Sequence, residues 1–140
     1  MGLDCFPISA PVYLGAFTGS SSTVRPLFTA PVACRIVSIK LMDLTGVTAH
    51  TQNYGTATVY NVGTAGSGTT SVAARATDTA TTDDITAFAP WDITLSTTEA
   101  DLELAAGEAL AFKWTEAGTG QDLGGALVVV NYAIGTGAGN

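Results

Sequence analysis

The sequence predicts an all-β domain, an antiparallel sandwich or a barrel. Three observations carry that prediction. Leu102-x-Leu104 and Leu110-x-Phe112-x-Trp114 place apolar residues at every second position on either side of Gly107, which is the period of a strand with one face in a core. The chain is rich in Thr and Val, which favour pleated structure, and its 16 Gly suit turns and bulges. About eight short candidate strands follow one another at spacings of roughly 8–15 residues, the rhythm of a sandwich or barrel. No stretch sustains a helical period, and no solenoid-type repeat is present.

In chain order, residues 1–20 carry Pro7, Pro11, Gly15 and Gly19 and read as an N-terminal arm or an edge strand, where proline is tolerated. The β-sandwich domain is assigned to 21–134. Thr23–Thr29 is a strand interrupted by Pro26. Cys34–Met42 is the clearest strand of the first half, with Val37, Ile39 and Leu41 on the expected core face and Cys34, Ile36, Ser38, Lys40 and Met42 on the other. A loop from Asp43 to Gly55 holds the single histidine, His50. Thr56–Val62 and Thr70–Ala76 read as a hairpin around a Gly-rich turn, and 77–84 as a polar loop. Ile85–Phe88 and Trp91–Leu95 are short strands around Pro90. Two strands then meet at Gly107. Ala126–Ile134 is the last strand and is apolar on both faces, as a central or covered strand would be. Residues 135–140 form a Gly-rich tail expected to fray.

At 140 residues, with 46% hydrophobic residues, the chain fits one domain able to bury a real core. Charged residues make up 12%, about half the usual share. The net charge of −7 comes from 12 acids against 5 scattered bases. That excludes a non-specific nucleic-acid binder, which needs a basic patch, and disfavours an anionic membrane surface. The N-terminus has no basic stretch followed by an apolar run. The longest apolar run, Ala126–Val130, is too short for a bilayer. Synthesis in a cytoplasm, without an export route of its own, is the expectation. Cys5 and Cys34 read as free thiols rather than a disulfide scaffold, although a pair remains open.

No catalytic, metal or cofactor site is expected. His50 has no second imidazole or thiolate near it and reads as a solvated or interface histidine. Asp78, Asp83, Asp84 and Asp92 gather around one loop but lack the alternating spacing of a calcium loop. Asp101 and Glu103 are neighbours on one strand, not opposed across a cleft. Gly63-x-x-Gly66-x-Gly68 and Gly118-x-Gly120 lack the following Lys-Ser/Thr and helix of a phosphate loop. Among the aromatics Trp91, Trp114, Tyr54, Tyr60 and Phe88, Trp114 belongs with the core. Trp91, after Pro90, and Tyr54 are the candidate ligand contacts of a sugar-binding face.

Three blocks occur in order: Ala33-Cys34-Arg35-Ile36-Val37-Ser38-Ile39-Lys40-Leu41, Asn53-Tyr54-x-Thr56-x-Thr58-Val59-x-Asn61 and Leu102-x-Leu104-Ala105-Ala106-Gly107. With them the chain resembles small virion proteins of tailed bacteriophages, of the capsid decoration, cement or head-fibre type. The resemblance spans roughly residues 20–134. It implies a jelly-roll-like β-sandwich, a homotrimer, and a place on the outer surface of a capsid in contact with the major capsid protein. It implies no enzyme activity. Strand 126–134 supplies an expected self-association face, Val128, Val130 and Tyr132. The alternative is a head or tail fibre module that recognises glycans.

Overall fold

A computed structural model describes residues 7–19, 22–79 and 82–134. Among these, nine strands follow one another: β1 Ile8–Phe17, β2 Thr23–Thr29, β3 Cys34–Asp43, β4 Gly55–Gly63, β5 Thr70–Ala76, β6 Trp91–Ile93, β7 Glu103–Leu104, β8 Ala109–Glu116 and β9 Leu123–Ile134. A 3-10 turn, Glu99–Leu102, precedes β7.

The strands form two antiparallel sheets. One has the order β1-β9-β3-β6, with β7 also on β3; the other has the order β2-β8-β4-β5. The first half of the chain pairs with the second in reverse: β1 with β9, β2 with β8, β3 with β6 and β7, β4 with β5. The molecule is therefore one long hairpin, closed between β4 and β5, whose successive pairs fall on alternate sheets. This is jelly-roll order. The expected jelly-roll-like β-sandwich is what the chain adopts.

The two inner faces meet in a single core. Trp114, Phe112, Phe17, Ile39, Leu41, Leu104 and Val128 are among its fully buried side chains. Phe17 and Phe112 pack edge to face, with ring centroids 5.3 Å apart, a favoured aromatic geometry. Trp114 satisfies its indole by donating to the Gln121 carbonyl at 2.8 Å.

Several expectations need correction. The Leu102–Trp114 segment is not a pair of neighbouring strands. β7 pairs with β3, whereas β8 pairs with β2 and β4. Gly107, at φ 87°, turns the chain from one sheet to the other. Both inner faces point at one core, so the alternation is correct while the implied neighbour is not. In β3 the core face changes parity. Cys34 and Ile36 are buried, then Ile39 and Leu41, while Val37 is 44% exposed. A bulge between Ile36 and Ser38 inserts the extra residue, and one extra residue moves later side chains to the opposite face. Ile85–Phe88 is not a strand. Ile85 makes a single bridge to Val47, and the chain then turns, Ala89 N–H donating to the Thr86 carbonyl at 3.0 Å.

Ile8–Phe17 is the edge strand of the first sheet, paired with β9 along its length. Pro11 and Gly15 lie within it, and such residues discourage pairing with another chain. The expected arm beyond it and the tail at 135–140 fall outside the described residues, as does Cys5. Cys34 is wholly buried, and burial pushes its thiol pKa up, away from reactivity.

Candidate functional site

The side chains expected at an interface prove to be structural. Val128 and Val130 have no exposed surface and Tyr132 is 8% exposed. β9 lies between β1 and β3, and this face of it points into the sandwich. The same chain already covers the surface assigned to self-association. Trp91 is likewise buried. It stands opposite Leu41, and the Arg75 guanidinium lies 4.5 Å from its ring centroid, a cation–π contact. Tyr54 is half-buried just before β4, its carbonyl accepting from Ala117 N–H at 2.8 Å. Trp91 lies on β6 of the first sheet, whereas Tyr54 precedes β4 of the second, and the two form no common platform.

His50, Asp83, Asp84, Asp92 and Asp101 each have a partner within the fold. His50 Nδ1 accepts from the amides of Gln52 and Asn53 at 3.1 and 3.0 Å, so the imidazole shapes its own loop. Asp83 accepts from Arg75 Nη2 at 2.9 Å. That guanidinium holds the Asp83 carboxyl below the usual carboxylate range. Asp84 accepts from Ala49 N–H at 2.7 Å, and Asp92 pairs with Lys40 at 2.5 Å. Asp101 accepts from Ser96 Oγ at 2.6 Å. Among the described residues, no group of three His, Cys, Asp or Glu side chains is placed to hold a metal ion.

Two hollows among the described residues differ in chemistry. A groove of about 420 Å³ beside β5 has a mixed lining, with Ser71, Thr94, Ser96, Thr97 and Asp101 beside Ala73, Ala74 and Leu95. It offers hydroxyls and one carboxylate already engaged by Ser96. The other hollow, about 200 Å³, is apolar: Tyr13, Met42, Leu44, Phe88 and Leu127 surround Gly125 and the end of β3.

The apolar basin follows from strand register. Tyr13 of β1 and Met42 of β3 both stand opposite Leu127 of β9, which aligns three apolar side chains across the outer face of the first sheet. At the end of that row β3 stops on Asp43, which is 1% exposed. Its carboxylate accepts from Thr45 N–H, Thr45 Oγ1, Gly46 N–H and Gly125 N–H at 2.8–3.3 Å. A buried carboxylate persists only with such saturation. Its bonds fix the loop that presents Leu44 and tie it to the start of β9. Gly125 lets the two side chains close over the strand: a Cβ would lie 2.6 Å from Leu44 Cδ1 and 2.8 Å from the Tyr13 hydroxyl and would push them aside.

Phe88 completes the rim. It is 72% exposed, and its φ is 62°, a region that suits glycine and is uncommon for a bulky residue. Its amide donates to the Asp43 carbonyl at 2.9 Å. Tyr13 and Leu44 beside it are 61% and 47% exposed. Sequence reading grouped Phe88 with the aromatics and gave no special place to Tyr13, Met42, Leu44 or Leu127. Four segments converge here, and only the fold brings them together. The available signal was Ala87-Phe88-Ala89-Pro90, a large aromatic in a turn.

No protein-family model and no curated protein matches the chain. Among solved structures it is similar to chains of infectious bursal disease virus. One is a structure of the Gx strain, with 20% identity, a TM-score of 0.37, and coverage of 94% of this chain and 37% of that one. The T=1 particles derived from the virus give 16%, 0.40, 89% and 31% in the same order. The VP2 subviral particle gives 18%, 0.35, 89% and 33%. This chain therefore spans about a third of the length of those it resembles, and likeness at that distance assigns no role.

Proposed function

We propose that this chain is a structural virion protein that binds the outside of a tailed-phage capsid and stabilises it, as a decoration or cement protein does. The observation that carries the reading is an exposed apolar basin on a jelly roll whose described histidine and loop acids are occupied in holding its own loops together. Three further features support it. The strand order is one that recurs in viral capsid domains, although it also serves lectins and other proteins. The sequence blocks that resemble phage virion proteins fall on β3, on β4 and on the crossover from β7 to β8. The low charge suits a surface meant to be covered. A homotrimer completes the reading, because several modest contacts matched to the symmetry of a shell act as one strong attachment. The glycan alternative loses its anchor, since Trp91 is buried.

Co-sedimentation with expanded tailed-phage heads lacking decoration tests the proposal. The expected result is saturable binding and a higher temperature of DNA release. Heads that neither bind the protein nor gain stability would overturn it.

A further inference from the structure

We infer that the Tyr13–Leu127–Phe88 basin seats an apolar side chain presented by a cationic surface of the shell protein, and is not a contact between two copies of this chain. The inference rests on the shell-binding reading and specifies the chemistry of the partner.

Phe88 sets the basin apart from the rest of the surface. Among the described residues it is the only non-glycine with positive φ. The backbone bonds of its turn, Phe88 N–H to Asp43 and Ala89 N–H to Thr86, would form equally with glycine. The phenyl ring is therefore strained in backbone and exposed in side chain, and it serves the fold in neither respect. Strain kept at an exposed position points to a contact.

The basin's chemistry selects its occupant. The Asp43 carboxylate is saturated from within, so it is not free to read sugar hydroxyls. The volume of about 200 Å³ lies below the roughly 300–1,000 Å³ of small-molecule sites and suits one large side chain.

Charge and area decide between a second copy and a different partner. The chain carries −7. Its cations are already engaged: Arg35 with Glu99, Lys40 with Asp92 and Arg75 with Asp83. Arg25 lies 4.0 Å from the centroid of the Phe17 ring, and Lys113 lies 5.9 Å from that of Tyr60. Two copies meeting at this basin would bring like fields together, so the contacts of the proposed trimer belong on other faces, whereas a cationic surface complements this one. The rim also offers too little area for a dimer. Two aromatics of at most about 150–250 Å² each, with Leu44, fall short of the roughly 800 Å² per partner of a stable interface. An anchor of this size is effective when many copies attach to one shell.

The test uses Phe88→Gly, Tyr13→Ser and three blocked tripeptides: lysine–phenylalanine–lysine, glutamate–phenylalanine–glutamate and lysine–serine–lysine. In NMR titrations at low salt, the first peptide should shift the amides of 42–44, 86–89 and 125–127, and added salt should weaken it. The other two should bind at least about threefold more weakly, and both variants should lose the response. Phe88→Gly should melt at the same or a higher temperature, yet bind heads at least about tenfold more weakly. Equal binding of the glutamate peptide, no response to any peptide, or Phe88-dependent self-association in sedimentation equilibrium would overturn the inference. If the unaltered protein ignores heads, the shell-binding reading fails. If it binds them and Phe88→Gly binds equally well, that reading stands and the basin assignment falls.

Discussion

Val128→Asp should abolish the folded state, while Val129→Asp, one residue along, should leave it intact. Val128 has no exposed surface and belongs to the central strand of the first sheet, opposite Val12 and Leu41. A carboxylate there finds no partner in the core. An unpaired buried charge costs several kcal/mol even after relaxation, a large share of the roughly 5–15 kcal/mol that holds a domain together. Val129 points the other way, opposite Pro11 and Lys40, where an aspartate keeps contact with water and gains a nearby cation. Its cost should stay near the ~1 kcal/mol range of strand propensities. Thermal denaturation followed by circular dichroism checks both: no cooperative transition for the first, and a melting temperature lowered by only a few degrees for the second. A folded Val128→Asp protein with altered oligomeric mass would restore the interface assignment and overturn this register.

Trp114→Ala should cost about 3–5 kcal/mol, the range for truncating a large buried aromatic. Trp114 is 1% exposed and its indole N–H is bonded to Gln121, so truncation opens a cavity and leaves that carbonyl without its donor. Gly55 is the matching half of the arrangement. A Cβ there would fall inside the Trp114 ring, so Gly55→Ala should destabilise by about 1–3 kcal/mol through overpacking. Trp114→Phe makes room, so the double substitution Gly55→Ala/Trp114→Phe should be less destabilised than the sum of the two single changes. Urea unfolding of the four proteins measures this coupling. Strict additivity would mean that the ring and the glycine do not share that space.

The fold was largely legible because alternation reports burial. β2 and β5 have the predicted bounds, and Leu104, Leu110, Phe112 and Trp114 all lie in the core. What alternation does not report is which strand comes next. Leu104 and Leu110 are six positions apart across a glycine turn, yet they belong to different sheets, because a corner between sheets and a hairpin share one local pattern. Parity was lost in two ways. In β3 the bulge at Val37 reversed the face, and nothing in Ile36-Val37-Ser38 distinguishes a bulge from a regular strand. In β9 both faces are apolar, so the sequence could not separate the core face, Val128 and Val130, from the outer face, Leu127 and Val129. The basin was illegible for another reason. Tyr13, Met42, Phe88 and Leu127 lie far apart in the chain, and their meeting depends on register and on the loop that Asp43 fixes. Trp91 shows the converse: an aromatic after proline suggests exposure, but pairing of β6 with β3 and the cover of Arg75 place it inside.

In the proposed assembly a rigid jelly roll carries a small apolar anchor repeated over a shell. Cryo-electron microscopy of phage heads saturated with the protein tests that claim most directly. The predicted map has the sandwich on the outer surface, with the 86–89 turn and Tyr13 against the shell. Heads without added density, or a sandwich bound with that turn facing solvent, would contradict it.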